Sequence, residues 1–124
     1  MSASKIAIES TQIAAQAILE KFGTEIVAID MSDQLVLCEV FLIATGQNTP
    51  QVEAIADEVE RKLAETGEKP IRRENGAEWI LIDYSDLVVH IQSRELRNYY
   101  MLDRLWNDCP RIELDTVKNA KLHA

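Results

Sequence analysis

Apolar residues recur at helical spacing in three parts of the chain. They predict a first amphipathic helix over residues 5–22. In the second helix, Thr49 is the predicted N-cap, Pro50 the first helical residue and Gly67 the end. A third helix is predicted over residues 93–107. Each helix has an apolar stripe that must pack against another element.

Short runs rich in β-branched residues lie between these helices. We predict strands over residues 25–30, 35–45, 79–82 and 87–91, with a further short strand near Ile71. This order of elements predicts a single α/β domain in which helices pack on a mixed β-sheet.

Two segments fit this domain less well. Glu39 interrupts the second apolar run, which indicates that this strand has an exposed stretch or lies at a sheet edge. Residues 110–124 contain few apolar side chains. We therefore assign the domain to residues 1–109 and treat residues 110–124 as a C-terminal tail that is a candidate for flexibility.

The last two strands are joined by residues 83–86, a length suited to a hairpin. With this four-residue connection, Ile82 lies opposite Leu87, and Trp79 lies opposite His90. One face of the hairpin is then aliphatic and consists of Ile80, Ile82, Leu87, Val89 and Ile91. The second face is also largely apolar and consists of Trp79, Leu81, Val88 and His90.

An apolar second face needs a cover, because a sheet with one solvated face alternates apolar and polar residues. The pattern leaves open whether that cover is another helix of the chain or another molecule. The third helix raises the same question, since its apolar residues exceed one stripe. Those suited to the core are Leu96, Tyr99, Leu102 and Trp106, whereas Tyr100, Met101 and Leu105 are left to a neighbouring element, a second copy or a partner.

Composition narrows the classes of partner. The net charge of −8 and the lack of a basic patch beyond Arg72 and Arg73 disfavour direct nucleic-acid binding. The charge favours a basic protein partner, although acidity also simply confers solubility.

No segment has the apolar length of a membrane span and the N-terminus lacks secretory-signal features, so we expect a cytoplasmic protein without membrane contact. Cys38 and Cys109 lie outside any CxxC motif and are expected to be reduced, structural thiols.

Enzymatic activity is the competing hypothesis. Asp83, Asp86 and His90 cluster on the hairpin, and Thr45 and Gly46 precede a helix that could receive a phosphate. These residues would suit a metal-dependent nucleotidyltransferase or phosphohydrolase. However, no Asp-x-Asp pair follows the Thr-Gly loop, and a phosphate loop needs more glycines and a lysine. We therefore expect no catalytic residues, no metal and no cofactor.

The hairpin and the third helix carry an extended motif. It consists of WILIDYSDLVVH over residues 79–90, then Arg97, Tyr100, Leu102, and LWND over residues 105–108. With these residues the chain resembles the Iojap/RsfS family of ribosomal silencing factors, over roughly residues 5 to 109. Four positions depart from the family pattern: Glu39 replaces aspartate, Ser85 glycine, Asp103 glutamate and Cys109 alanine.

The resemblance implies a nucleotidyltransferase-like fold without the catalytic apparatus. It also implies binding to the large ribosomal subunit through its fourteenth protein, at the intersubunit face, which blocks small-subunit joining and represses translation. The free protein is a candidate homodimer. The resemblance carries the partner-binding role onto Trp79, Leu81, Tyr84, Asp86, Val88 and His90, with Tyr100 as a further candidate.

Several of these residues have structural alternatives. Asp83 and Asp86 also suit a turn, and His90 also suits the interior of a sheet. Arg97 suits an ion pair or a dimer contact better than an anion site. The sequence leaves these alternatives open.

Overall fold

The computed structural model of the protein describes residues 3–34 and 38–116. Its elements are, in chain order, α1 (Lys5–Glu20), β1 (Thr24–Asp30), β2 (Val40–Gly46), α2 (Thr49–Glu65), β3 (Arg72–Asn75), β4 (Trp79–Asp83), β5 (Leu87–Ser93), α3 (Arg94–Tyr100), α4 (Leu102–Leu105) and β6 (Arg111–Ile112). Helices packed on a mixed sheet confirm the predicted fold class. None of the described helices is long and apolar enough to cross a membrane.

The six strands form one sheet in the order β3-β4-β5-β2-β1-β6. β2 and β5 are parallel, and every other neighbouring pair is antiparallel. β2 therefore lies inside the sheet and not at an edge, which was one of the two positions suggested by Glu39. That residue precedes the strand, and its carboxylate accepts hydrogen bonds from the main-chain N–H (2.6 Å) and the hydroxyl (3.1 Å) of Ser4, the N-cap of α1.

α1 and α2 pack on one face of the sheet, the inner face. Alternate strand residues fill this core and are fully buried: Val40, Leu42 and Ala44 of β2, Ile80 and Ile82 of β4, and Leu87, Val89 and Ile91 of β5. The helices contribute Ile18, Val52, Ile55, Val59 and Leu63. The five aliphatic hairpin residues predicted to face the helices are all in this core, so that prediction is confirmed.

The hairpin register differs from the prediction by two residues, because Ile82 pairs with Val89 instead of Leu87. The main-chain N–H of Tyr84 donates to the Leu87 oxygen (2.8 Å), which shortens the connection to two residues. The favoured two-residue turns have φ > 0 at their first residue, and Ser85 has φ 77° where glycine would be unstrained. Since a shift of two residues preserves the alternation along a strand, both faces keep their predicted members.

The predicted third helix is broken into two. α3 ends at Tyr100, and Met101 adopts the left-handed conformation with φ 48° before the single turn of α4. The Met101 N–H donates to the Arg97 oxygen (3.0 Å), which closes the end of α3. Arg97 is the buried residue of α3, and Tyr99, two positions later, points to the opposite side of the helix. Tyr99 is 76% exposed, so its predicted place in the core is wrong.

Part of the predicted C-terminal tail belongs to the sheet. β6 pairs with β1, where Ile112 lies opposite Ala28, and Leu114 is buried in the inner core. The sparse apolar residues after Pro110 did not predict this strand. Residues 117–124 of the tail lie outside the described residues, as do residues 35–37 at the start of the predicted second strand.

Asp30, the last residue of β1, is bonded to segments from both the N-terminal and the C-terminal part of the chain. Its carboxylate accepts a hydrogen bond from the Ala3 N–H (2.9 Å), and its own N–H donates to the Pro110 oxygen (2.8 Å). Burial works to raise the pKa of the Asp30 carboxyl, but hydrogen bonds from Ser32 and Ala3 outweigh burial and lower that pKa. The charged form of Asp30 is therefore the one that the fold stabilises.

α2 begins with a different N-cap from the one predicted. The Oδ1 atom of Asn48 accepts a hydrogen bond from the Gln51 N–H (2.8 Å), whereas Thr49 is already within the helix. Asn48 has extended backbone angles, as an N-cap residue should. Pro50 lies in the first turn of α2. The N–H group that proline lacks would have no hydrogen-bond partner within the helix at this position.

We predict that Asn48→Ala lowers the free energy of unfolding by about 1 kcal/mol, because the helix loses its side-chain cap. Thr49→Ala is the matched control, since Thr49 is exposed and caps no N–H group of α2. The control should change stability by less than about 0.5 kcal/mol. Urea unfolding of both variants measures the difference, and equal losses would contradict the assigned cap.

Candidate functional site

The sheet face opposite α1 and α2 is the outer face, and the chain itself covers one half of it. On β1 and β2, Ile29 and Ile43 are fully buried in a second core. Leu102, Trp106 and Cys109, from α4 and the segment after it, pack in the same core. Over β1 and β2 the cover of the outer face is therefore intramolecular.

The other half of the outer face, on β4 and β5, is partly open. Trp79, Leu81 and Val88 are half-buried there, and the half-buried Phe41 adjoins them because it pairs with Val88. These four residues form the outer patch. Trp79 and Leu81 also line a groove of about 390 Å³ that extends to Gly76 beside the edge strand β3.

A row of aromatic rings crosses the outer patch. The ring centroids are 4.9 Å apart between Phe41 and His90, 5.9 Å between His90 and Trp79, and 4.9 Å between Trp79 and Tyr100. Tyr100 is 47% exposed, and Tyr99 packs against it at 5.0 Å. The outer patch and the exposed rings of α3 thus form one continuous surface.

His90 is the most buried member of this row, with 5% of its surface exposed. Trp79 pairs with Gln92 rather than with His90, which corrects the predicted register. The indole Nε1–H of Trp79 nevertheless reaches His90 and donates to its Nδ1 atom (3.2 Å). The Nε2 atom of His90 has no hydrogen-bond partner among the described residues. Burial lowers the pKa of His90 to about 4, so the imidazole is neutral at pH 7.

Tyr84, a predicted contact residue, lies on the wrong face for the outer patch. It is buried in the inner core, where burial raises the pKa of its phenol. Strand alternation explains this position, because Ile80, Ile82 and Tyr84 are two residues apart and share one face. The family resemblance had assigned Tyr84 to the partner surface, and the structure corrects that assignment.

Asp86, another predicted contact residue, lies in the hairpin turn at the end of the sheet. Its main-chain oxygen accepts hydrogen bonds from the N–H groups of Glu39 (3.0 Å) and Val40 (2.9 Å), which tie the turn to β2. Burial raises the pKa of its carboxyl. Asp86 therefore has the structural role of a turn residue and also borders the outer face near Val88.

Phe41 and Tyr99 belong to this surface although the sequence patterns did not identify them. Phe41 lies within a run of core residues, and only the pairing of β2 with β5 places it beside Val88. Tyr99 follows the helical spacing of a core residue but lies opposite Arg97 on α3. Strand order and helix orientation, which are tertiary properties, were needed to find both.

Arg97 and the two cysteines are placed inside the fold. Arg97 is 4% exposed; its Nη1 donates to Thr45 Oγ1 (3.0 Å) and its Nε lies 3.4 Å from the Asp103 carboxylate. It is an ion-pair residue, as predicted, but a buried one. Cys38 and Cys109 are both free and buried, in agreement with structural thiols.

The hypothesis of a metal-dependent enzyme gains no support from the geometry. Asp83 accepts a hydrogen bond from the Ser85 N–H (2.8 Å) and lies 3.5 Å from Arg72 Nε. Within residues 3–34 and 38–116, no group of three His, Cys, Asp or Glu side chains is arranged to hold a metal ion. Packing accounts for the glycine at position 46 without a phosphate-binding role, because a Cβ atom there would lie 2.8 Å from Val52 Cγ2.

We predict that the protein loses stability between pH 7 and pH 5 through His90. The pKa of this residue is about 4 in the folded protein and 6.5 without the fold, so the unfolded chain binds more protons in this window. Stability then falls as pH falls, by about 2 kcal/mol. Urea unfolding at the two pH values measures the loss. His90→Asn should show a much smaller loss, and an unchanged loss in that variant would refute the prediction.

Comparisons with known proteins agree with the motif in the hairpin and α3. The family model described as a ribosomal silencing factor during starvation matches residues 4–124. The ribosomal silencing factor RsfS of Halalkalibacterium halodurans is 38% identical over 88% of this chain and 95% of its own length, and that of Bacillus subtilis is 38% identical over 87% and 93%. A crystal structure of a Chromobacterium violaceum protein matches with a TM-score of 0.77 and 34% identity, over 80% of this chain and 84% of that one. The chain therefore belongs to the ribosomal silencing factor (RsfS) family.

Proposed function

We propose that the protein is a cytoplasmic translational repressor that binds the large ribosomal subunit and keeps the small subunit from joining. The contact is made with the fourteenth protein of the large subunit, at the intersubunit face. Membership of the ribosomal silencing factor family supports this proposal, since relatives with 38% identity carry that name. Repression is steric and needs no catalytic residue.

The outer patch is the observation that carries the proposal. Trp79, Leu81 and Val88 are half-buried apolar side chains on a sheet face whose other half is covered by α4 and the segment after it. Because the solvated face of a sheet is ordinarily polar, an apolar one is suited to contact with another molecule. Tryptophan is enriched among the residues that dominate interface energies, so Trp79 is the expected anchor.

Charge favours a basic partner at this surface. The chain carries a net charge of −8, and Glu74 and Asp83 border the outer patch because they pair with Leu81 and Val88. Arg72 pairs with both carboxylates and offsets one of their charges. Ribosomal proteins are mostly basic, so opposite charges speed the encounter and orient the partner.

A steric mechanism requires only an adequate interface with the large subunit and a bound protein that occupies space needed by the small subunit. An interface of ordinary size covers about 800 Å² on each partner.

The outer patch is also a candidate for contact with a second copy in the free protein. A homodimer would compete with ribosome binding only if it persists when the partner is present.

We predict that the protein cosediments with isolated large ribosomal subunits and lowers the yield of assembled ribosomes when small subunits are added. Binding should weaken as salt rises, because complementary surface charges are screened. Sucrose-gradient sedimentation at two salt concentrations measures both effects. A failure to cosediment at low salt would overturn the proposal.

We predict that Leu81→Lys weakens binding to large subunits by about tenfold or more, because it places a positive charge on the surface that meets a basic partner. Ile6→Lys is the matched control, since Ile6 is 67% exposed on α1 and lies on the inner side of the sheet. Trp79→Ala should cost more than about 1 kcal/mol of binding free energy. Equal affinities for the two lysine variants would exclude the outer patch as the contact surface.

A further inference from the structure

Three buried side chains have polar atoms without a hydrogen-bond partner among the described residues: Tyr84, His90 and Gln92. Tyr84 lies in the inner core, and Gln92 is fully buried (0% exposed). Gln92 pairs with Trp79 on the outer face, but it is His90 that lies between the half-buried rings of Phe41 and Trp79, within the proposed docking surface. Because a buried donor without an acceptor is costly, His90 would gain from an acceptor that a partner supplies.

The indole of Trp79 determines which atom of His90 is the donor. Trp79 Nε1–H donates to His90 Nδ1 (3.2 Å), so Nδ1 is the acceptor of the neutral ring and Nε2 carries the proton. Burial keeps the ring neutral near pH 7, with a pKa of about 4. In the imidazole ring Nε2 is separated from the main chain by more bonds than Nδ1 is. The ring therefore offers one donor of fixed identity to whatever covers the patch.

We infer that His90 donates this Nε2–H hydrogen bond to a carbonyl oxygen of the docked partner, and that the bond helps to select the partner. The inference rests on the proposed function and adds to it the chemistry that the partner must present. The docking surface accepts a partner segment that places an unpaired carbonyl oxygen between Phe41 and Trp79. A segment that presents an N–H group or an aliphatic side chain there leaves the His90 donor unsatisfied and is disfavoured.

A carbonyl oxygen fits this position better than a carboxylate. Asp83 and Asp86 lie on the same hairpin, and the chain carries a net charge of −8, so a negative group would be repelled. The Nε2 atom is buried in the free protein, and the half-buried rings of Phe41 and Trp79 are neighbours of the imidazole, so a partner reaches Nε2 only when side chains move. Rotamer changes of such side chains are common when partners bind.

Two substitutions separate the donor role from a role in supporting Trp79. In His90→Gln, the amide nitrogen reaches the position of Nε2 and keeps a donor there. In His90→Asn, the shorter side chain keeps an acceptor near the position of Nδ1 for Trp79 but places nothing at Nε2. We expect His90→Gln to bind purified large subunits within about threefold of the wild-type affinity, and His90→Asn to bind roughly tenfold more weakly.

The order of the two affinities decides between the roles. If His90 only positions Trp79, His90→Asn binds better than His90→Gln, and the inference is overturned. Equal weakening by both substitutions also overturns it. Urea unfolding of each variant shows whether a loss of binding reflects a loss of fold, and Ile6→Lys serves again as the variant outside the surface.

The tautomer can be measured without the ribosome. ¹⁵N chemical shifts of the imidazole at pH 7 should show a protonated Nε2 and an unprotonated Nδ1, and since the chain has two histidines, His90→Asn identifies the His90 signals. The opposite tautomer would overturn the inference. If the wild-type protein does not bind large subunits, the proposed function fails. If it binds and His90→Asn binds equally well, only the inference about His90 fails.

Discussion

β2 and β5 run parallel and side by side over seven residue pairs inside the sheet. Parallel neighbours cannot be joined by a tight turn, so the chain must cross over between them, and α2, β3 and β4 form that crossover. The crossover places α2 on the inner face and places β4 and β3 on the far side of β5 from β2. The same pairing brings Phe41 beside Val88 and Ile43 beside His90. The inner core and the outer patch both depend on it.

Local patterns predicted those features of the fold that depend on periodicity alone. The two faces of the hairpin follow from the period of two along a strand and survive an error in register. The register itself depends on the turn, and Ser85 adopts a positive φ without the glycine that would have marked it. The break in the third helix falls at Met101, an ordinary helix-forming residue, so helix propensity did not predict the break. The neighbours of Phe41 and the pairing of β6 depend on strand order, which joins distant segments.

The segment after β5 has more apolar residues than one core can bury. The placement of α3 and α4 explains why. Arg97 is the only buried residue of α3, where it contacts Thr45 and Asp103, and α4 has none. The contacts of α3 with the sheet combine these polar bonds with the ring contact between Tyr100 and Trp79, and Arg94 forms an ion pair with Glu25 at 2.5 Å. Its aromatic side chains are left on the outside, beside Trp79. The apolar residues of this segment are thus divided between the second core, which takes Leu102 and Trp106, and the surface, which takes Tyr99 and Tyr100.

Asp30 accepts a hydrogen bond from Ala3 and donates one to Pro110, so two segments from opposite ends of the chain are tied to a single residue of β1. Beyond Pro110 the chain continues along β1 as β6, and Asp115 and Thr116 bond to Gln12 and Gln16 of α1. In the strand order of the sheet, β2 lies between β1 and the β4–β5 half of the outer face, so the exposed side chains of that half are remote from both ends of the described chain.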